Sequence, residues 1–138
     1  MTTSSNDDRP SIVAAIIVQD GKVLMVRRRV REGTLSWQFP AGESEVGETP
    51  EMTAIRETRE ETSLDVAADN VLGERVHPAT GRQMHYVACH VIEGTARVGD
   101  EDELAEVAWC GLTALRTNVP SGLFPAVDDY LTAALTPA

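Results

Sequence analysis

Residues 42–64, GESEVGETPEMTAIRETREETSL, form the stretch around which the rest of the chain is interpreted. It holds seven carboxylates against two arginines. On a helix that advances about 100° per residue, Glu57, Glu60 and Glu61 fall within an arc of about 100°. Like charges at these spacings destabilise a helix unless another charge neutralises them. Two interpretations follow from the spacing alone, a solvated acidic face or a site for a hard divalent cation such as Mg²⁺.

The same stretch also contains the signals for the start of its helix. Thr49 is suited to the N-cap, Pro50 to the first helical position, and Glu51 to the first turn. We predict a helix over 50–62, with Met52, Ala54 and Ile55 as its only clear candidates for a buried face. Because this helix has so few core residues, we expect its role to lie in its polar face.

Composition limits the class of protein. The chain has 138 residues, of which 42% are hydrophobic, and this predicts a single domain over 11–138 after a disordered leader over 1–10. The net charge of −10 argues against binding to nucleic acid or to an anionic membrane, since both require a basic surface. A polyanionic small substrate would need bound cations to bridge it to so acidic a protein.

The cysteines and the hydropathy pattern predict a cytoplasmic protein. Cys89 and Cys110 each lie in an apolar run and not in a metal-ligand spacing, so we expect both to be buried and reduced. The sequence shows neither an apolar run long enough for a membrane span nor an apolar segment near the N-terminus suited to secretion.

Apolar runs predict the strands. Residues 11–18 and 23–28 flank Asp20-Gly21, a strong hairpin signal. Further strands are predicted around Trp37 and Phe39, over 84–92, around 96–98 and over 104–110, while 66–76 mixes strand and loop. A short helical turn is expected over 112–115, and an amphipathic helix over 123–135 closes the chain.

Charged and histidine residues outside residues 42–64 give weaker signals. Four arginines form a cluster at the end of the second strand: Arg27, Arg28, Arg29 and Arg31. They are interpreted either as solvated or acid-paired side chains, or as a group of which one holds a phosphate. His85 and His90 lie on opposite faces of a predicted strand, so their spacing does not make a shared metal site. His77 is expected in a loop, where a ligand role is an open alternative.

Residues 42–64 resemble the signature of the Nudix hydrolases, in particular the MutT-like nucleoside triphosphate pyrophosphohydrolases. Gly42, Glu48 and the run RETREETSL over 56–64 match seven of the nine defined positions. Thr58 replaces an apolar residue whose packing its methyl group can supply. Ser63 replaces a glycine, where a left-handed residue costs on the order of 1 kcal/mol. The resemblance extends over about 11–135 and implies an α/β fold, an α/β/α sandwich on a mixed sheet.

The resemblance also implies roles for particular residues. Glu57, Glu60 and Glu61 would bind Mg²⁺ or Mn²⁺ with the backbone carbonyl of Gly42, and Glu60 and Glu61 would also act in catalysis. Arg56 would pair with Glu48 and Glu60 to orient the ligands. Arg27 is similar in position to an arginine that contacts substrate phosphate. Glu103 resembles the general base of some members, with Glu101 or Glu106 as alternatives.

The implied reaction is the hydrolysis of a nucleoside diphosphate linked to another group. The expected substrate is a nucleoside triphosphate, canonical or oxidised, that gives the monophosphate and pyrophosphate, with ADP-ribose or a nucleotide sugar as the alternative. A Nudix-like module that binds a nucleotide without cleaving it, and a purely structural acidic helix, are the alternatives from other classes. The expected partners are a small nucleotide, no nucleic acid and no membrane, in a monomer or a homodimer.

Overall fold

A computed structural model describes residues 9–29 and 35–137. The strands are β1 (Ile12–Gln19), β2 (Lys22–Arg29), β3 (Leu35–Gln38), β4 (Ala41–Glu43), β5 (Asp65–Val76), β6 (Gln83–Glu93) and β7 (Leu104–Cys110). The helices are α1 (Pro50–Thr62), α2 (Leu112–Asn118) and α3 (Pro125–Ala134). Residues 1–8 of the predicted leader, and Arg31 of the arginine cluster, lie outside the described residues.

The strands form a mixed sheet with the order β3-β2-β1-β6-β5, in which β4 also pairs with β1 and β7 with β2. β1 and β6 run parallel, while the other pairings are antiparallel. Asp20 and Gly21 have φ values of 53° and 75°, as a tight turn of the hairpin type requires. The predicted β1–β2 hairpin is confirmed.

The apolar run of β1 is buried on both of its faces, and this creates two cores. Val13, Ala15 and Ile17 pack on the side of the sheet that carries α1, together with Ala54 of that helix. Ala14 and Ile16 point to the opposite side and join the residues contributed by α2 and α3. Alternation along a strand explains the division. The result is the predicted α/β/α sandwich on a mixed sheet.

Two strand predictions and one core prediction were wrong. Residues 66–76 belong to one strand of twelve residues, Asp65–Val76. Residues 96–98 are not a strand, because their backbone binds the end of α1: the amides of Arg97 and Gly99 donate to the carbonyls of Thr62 and Glu61 at 2.9 and 2.8 Å.

The buried face of α1 also differs from the expectation. Met52 is 52% exposed. Ala54 is buried, but most of the buried positions of α1 are polar: Thr53, Thr58, Glu61 and Thr62. The alanine and threonine side chains are short enough to bring the helix close to the sheet. Of the helices that the structure describes, none combines the length and apolar character needed to cross a membrane.

Candidate active site

An acidic cavity of about 510 Å³ lies between α1, β4 and the loop before β7. It is lined by Arg28, Ala41, Gly42, Glu43, Ser44, Glu45, Arg56, Glu57, Glu60, Glu61, Asp100 and Glu103. Every residue expected from the sequence to bind metal or take part in catalysis lines this cavity. The fold therefore brings together residues that are separated by up to 61 positions in the sequence, from Gly42 to Glu103.

Arg56 is the centre of an ion-pair network in this cavity. Its Nε and Nη2 donate to the two carboxylate oxygens of Glu48 at 2.7 and 2.9 Å. Its Nη1 donates to Glu57 at 2.9 Å and to Glu60 at 3.3 Å, and its Nη2 also donates to the backbone carbonyl of Glu43. The bond to Arg56 lowers the pKa of Glu48 to about 2. Arg56 thus lies between the helix acids and β4, as the pairing predicted from the sequence requires.

Gly42 allows the carboxylate of Glu57 to approach the backbone of β4. A Cβ atom at position 42 would lie 2.1 Å from Cδ of Glu57, so any other residue there would displace this carboxylate. Partial burial raises the pKa of Glu57, against the opposing effect of the bond from Arg56. The glycine of the signature therefore leaves the space beside β4 in which the Glu57 carboxylate lies.

Glu61 is the most buried acid of the cavity, with only 5% of its surface exposed. Its Oε1 accepts from the amide of Ala41 at 3.3 Å, and both of its oxygens lie 3.0 Å from Nη2 of Arg28. Burial raises its pKa to about 7 in spite of this arginine. A carboxylate with a pKa near neutrality gains from a further cation that would stabilise its charge.

Arg28 is a site residue that the sequence did not single out from the arginine cluster. Besides Glu61 it binds Glu103, to which its Nη1 donates at 3.2 Å. The signal for it in the sequence was only its place at the end of β2, beside two other arginines. In the sheet, Arg28 of β2 pairs with Leu104 of β7, and this pairing brings Arg28 next to Glu103. The contact therefore depends on two strands that are distant in sequence.

Arg27 lies outside the lining of the acidic cavity. Its Nη1 binds Glu106 at 3.1 Å, and its guanidinium lies 5.7 Å from the centre of the Trp37 ring. Glu106 is thereby paired with Arg27. Among the described residues, Glu101 binds Arg29 through its backbone carbonyl and not through its carboxylate. Among the three acids considered as general base, Glu103 is the one that lines the cavity.

The donor chemistry of the cavity fits a hard divalent cation, since carboxylates and a backbone carbonyl supply oxygen ligands. In the part of the chain that the structure describes, no three His, Cys, Asp or Glu side chains stand ready as a ligand set. Arg28 and Arg56 hold the carboxylate oxygens instead. Binding of an ion would therefore require these guanidinium groups to release part of their contacts.

A second, aromatic cavity of about 640 Å³ lies on the side of the sheet that carries α2 and α3. Its lining includes Trp37, Phe39, Tyr86, Phe124 and Arg75. Ala41 lines both cavities. A ligand with a planar apolar group and a charged group could therefore occupy both cavities. Its planar group would lie in the aromatic cavity, and its charged group would reach the acidic cavity past β4.

Sequence comparison finds known relatives of this chain. The sequence model of the NUDIX domain matches residues 8–130. The protein named MutT4 of Mycobacterium tuberculosis is 38% identical over 107 residues, which are 73% of this chain and 43% of that protein. The CTP pyrophosphohydrolase of Escherichia coli K12 is 30% identical over 102 residues, 72% of this chain and 73% of that enzyme. The chain thus spans less than half of the first relative and most of the second.

Structural comparison agrees with the fold described above. A NUDIX hydrolase from Nitrosomonas europaea superimposes with a TM-score of 0.75 at 22% identity, over 94% of this chain and 93% of that structure. At this identity the likeness concerns the fold alone. It confirms the α/β/α arrangement expected from residues 42–64.

Proposed function

The chain belongs to the Nudix family, and from that membership we propose that it is a pyrophosphohydrolase dependent on Mg²⁺ or Mn²⁺. Its substrate is a nucleoside diphosphate linked to another group. The observation that carries this proposal is the convergence of Glu57, Glu60, Glu61 and Glu103 on one cavity that adjoins an aromatic one.

Glu57, Glu60 and Glu61 would hold the metal with the backbone carbonyl of Gly42. When bound, it would neutralise pyrophosphate charge and lower the pKa of a water molecule. Arg56 stays anchored to Glu48 and orients Glu57 and Glu60 through those of its contacts with them that the ion leaves in place. Gly42 keeps the floor of the cavity open, because any Cβ there would displace Glu57.

The remaining residues position the water and the phosphates. Glu103 takes the proton of the attacking water, whose oxygen forms a bond to one phosphorus while the bridging P–O bond breaks. Arg28 would turn its Nη2 from Glu61 to the departing phosphate, while its Nη1 keeps the bond to Glu103. Arg27 remains paired with Glu106 in this arrangement, so its predicted contact with phosphate would require that pair to open.

Within this class we propose a nucleoside triphosphate as the substrate, cleaved to the monophosphate and pyrophosphate. The support is the similarity to a relative named as a CTP pyrophosphohydrolase, because this chain matches 73% of that enzyme's length. ADP-ribose and oxidised nucleoside triphosphates belong in the same substrate panel, since the residues that bind metal do not select the base.

Replacement of Glu61 by glutamine tests the site. Glu61→Gln should lower turnover by about two to four orders of magnitude, because glutamine removes a charge that the metal requires. The measurement is the release of phosphate and pyrophosphate from a panel of canonical and oxidised triphosphates and ADP-ribose with Mg²⁺. Product identification gives the bond that is cleaved.

Glu51→Gln is the matched control, because Glu51 lies in the first turn of the same helix and does not line the acidic cavity. It should keep the activity of the unaltered chain, and thermal unfolding should show that both variants fold. Full activity of Glu61→Gln on a confirmed substrate would remove Glu61 from the mechanism.

A further inference from the structure

Arg75 lines the aromatic cavity and contacts two of its rings. Its guanidinium carbon lies 5.0 Å from the centre of the Phe124 ring and 5.8 Å from that of Tyr86. Its Nε donates to the hydroxyl of Tyr86 at 3.2 Å. The two rings are themselves in contact, with their centres 5.1 Å apart. Cation–π contacts and a hydrogen bond thus fix the plane of the guanidinium.

A glycine of the same strand makes room for this cluster. A Cβ atom at Gly73 would lie 3.1 Å from Cε2 of Phe124, which is closer than most real Cβ contacts. Gly73 pairs with Tyr86 across β5 and β6. The absence of a side chain at Gly73 allows the Phe124 ring to pack against the strand beside Tyr86. The position of Arg75 is therefore set by the sheet and by the residue that precedes α3.

The terminal nitrogens of Arg75 differ from those of the other arginines near the two cavities. Arg28, Arg56 and Arg82 each bind a glutamate side chain, and Arg9, which also lines the aromatic cavity, donates from Nη2 to the carbonyl of Thr80. Within 9–29 and 35–137, the hydrogen bond of Arg75 is the one from Nε to Tyr86, and its Nη1 and Nη2 bind no acceptor there. In a protein with a net charge of −10, a fixed guanidinium without a carboxylate partner is an unused pair of donors.

We propose that Arg75 selects the base of the substrate, by donating from Nη1 and Nη2 to two adjacent acceptors on its edge. Guanine presents O6 and N7 in this way, and cytosine presents O2 and N3. Adenine and uracil place a donor beside each acceptor, so they cannot satisfy both nitrogens. The inference rests on the proposed function, for which it names guanine and cytosine nucleotides as the substrate class.

The shape of the cavity agrees with this selection. Trp37 and Phe39 line it with the Tyr86 and Phe124 rings, so a planar base can be buried among apolar surfaces while its edge meets Arg75. Burial from water strengthens the selection, because an unpaired donor or acceptor in such a place is costly. Ala41 then leads from the base to the acidic cavity.

Calorimetric binding of nucleoside monophosphates tests the selection without any need for hydrolysis. GMP and CMP should bind the unaltered chain at least about tenfold more tightly than AMP and UMP, the factor expected of one bidentate pair. Arg75→Gln should abolish this difference. Arg75→Lys should also abolish it while keeping the positive charge, because an ammonium group lacks the planar pair of donors.

Arg116→Gln is the control for the loss of a guanidinium. Arg116 binds Asp128 and Thr132 on α3 and does not line the aromatic cavity, so this variant should keep the preference. Thermal unfolding of all variants checks folding, and Arg75→Lys supplies the test if Arg75→Gln fails to fold.

Equal binding of the four monophosphates by the unaltered chain, or a preference that survives in Arg75→Gln and Arg75→Lys, would overturn the proposal. Failure of the proposed function would be seen differently, as no cleavage of any member of the substrate panel. That result would leave the preference among monophosphates measurable, so the two failures are distinguishable.

Discussion

Two buried threonines of α1 differ in whether their hydroxyl groups form hydrogen bonds. Thr58, which stands where the Nudix signature has an apolar residue, is 0% exposed, and its Oγ1 is buried with no hydrogen-bond partner among the described residues. Its methyl group is buried with the rest of the side chain, but the hydroxyl is an uncompensated polar group. Thr62, one turn later, differs because its hydroxyl donates to the carbonyl of Thr58 at 2.7 Å.

Thr58→Val should raise the free energy of unfolding by about 1 kcal/mol, because valine keeps the shape and removes the unpaired hydroxyl. Chemical denaturation at neutral pH measures the change. Thr62→Val is the matched control and should lower the free energy of unfolding by about 1 kcal/mol, because it deletes a hydrogen bond that is made. Equal effects of the two substitutions would contradict this assignment of the hydroxyls.

At the scale of the element, the end of α1 joins the helix to the rest of the cavity. Ser63 has φ 66° and ψ 11°, so the glycine position of the signature is left-handed here as well. Its amide donates to the carbonyl of Arg59, and its Oγ accepts from Nε of Arg97 at 3.2 Å. Segment 95–99 binds the last carbonyls of the helix, and the chain then continues to Asp100 and Glu103 in the cavity. The helix end thereby positions the proposed general base.

Ser63→Gly should raise the free energy of unfolding by up to about 1 kcal/mol, because glycine adopts positive φ without the steric cost. Loss of the exposed contact with Arg97 subtracts part of this gain. Ser63→Ala is the control, since it loses the same contact and keeps the steric cost, so it should be no more stable than the unaltered chain. Thermal and denaturant unfolding distinguish the three proteins.

At the scale of the whole molecule, the sheet separates two kinds of surface that meet at Ala41. Acids of α1 and of the loop before β7 lie on one side, and aromatic residues lie on the other. The arginines of β2 compensate part of the acidic charge through Glu61, Glu103 and Glu106. The stability of the whole fold is therefore coupled to the protonation of its buried acids.

Stability of the metal-free protein should fall between pH 5 and 8 through Glu61. Its pKa is about 7 in the folded state against an ordinary 4.5, so the folded protein retains a proton that the unfolded chain releases in this range. The free energy of unfolding then decreases as the pH rises, by up to about 3 kcal/mol from this group. Glu48 changes the free energy of unfolding in the opposite direction and at lower pH. Because its pKa is lowered to about 2, its contribution to stability is lost as the pH falls.

Denaturant unfolding in EDTA at pH 5 and pH 8 measures this effect. Glu61→Gln should show a smaller decrease than the unaltered chain, because glutamine does not titrate, whereas Glu51→Gln should follow the unaltered chain. Parallel pH dependences in Glu61→Gln and the unaltered chain would show that Glu61 does not have the raised pKa assigned to it.

The sequence by itself determined the bounds of α1, the β1–β2 hairpin and the family, because capping residues, turn residues and the spacing of glutamates act over a few positions. Tertiary structure alone decided which arginine meets the acids, since Arg28 and Glu103 are 75 residues apart and come together through the pairing of β2 with β7. It also decided that segment 96–98 binds a helix end, and that Arg75 lies between two rings. These are contacts between distant parts of the chain, for which local pattern carries no signal. The metal and catalytic roles of Glu57, Glu60, Glu61 and Glu103 stay predictions, of which the Glu61→Gln variant tests that of Glu61.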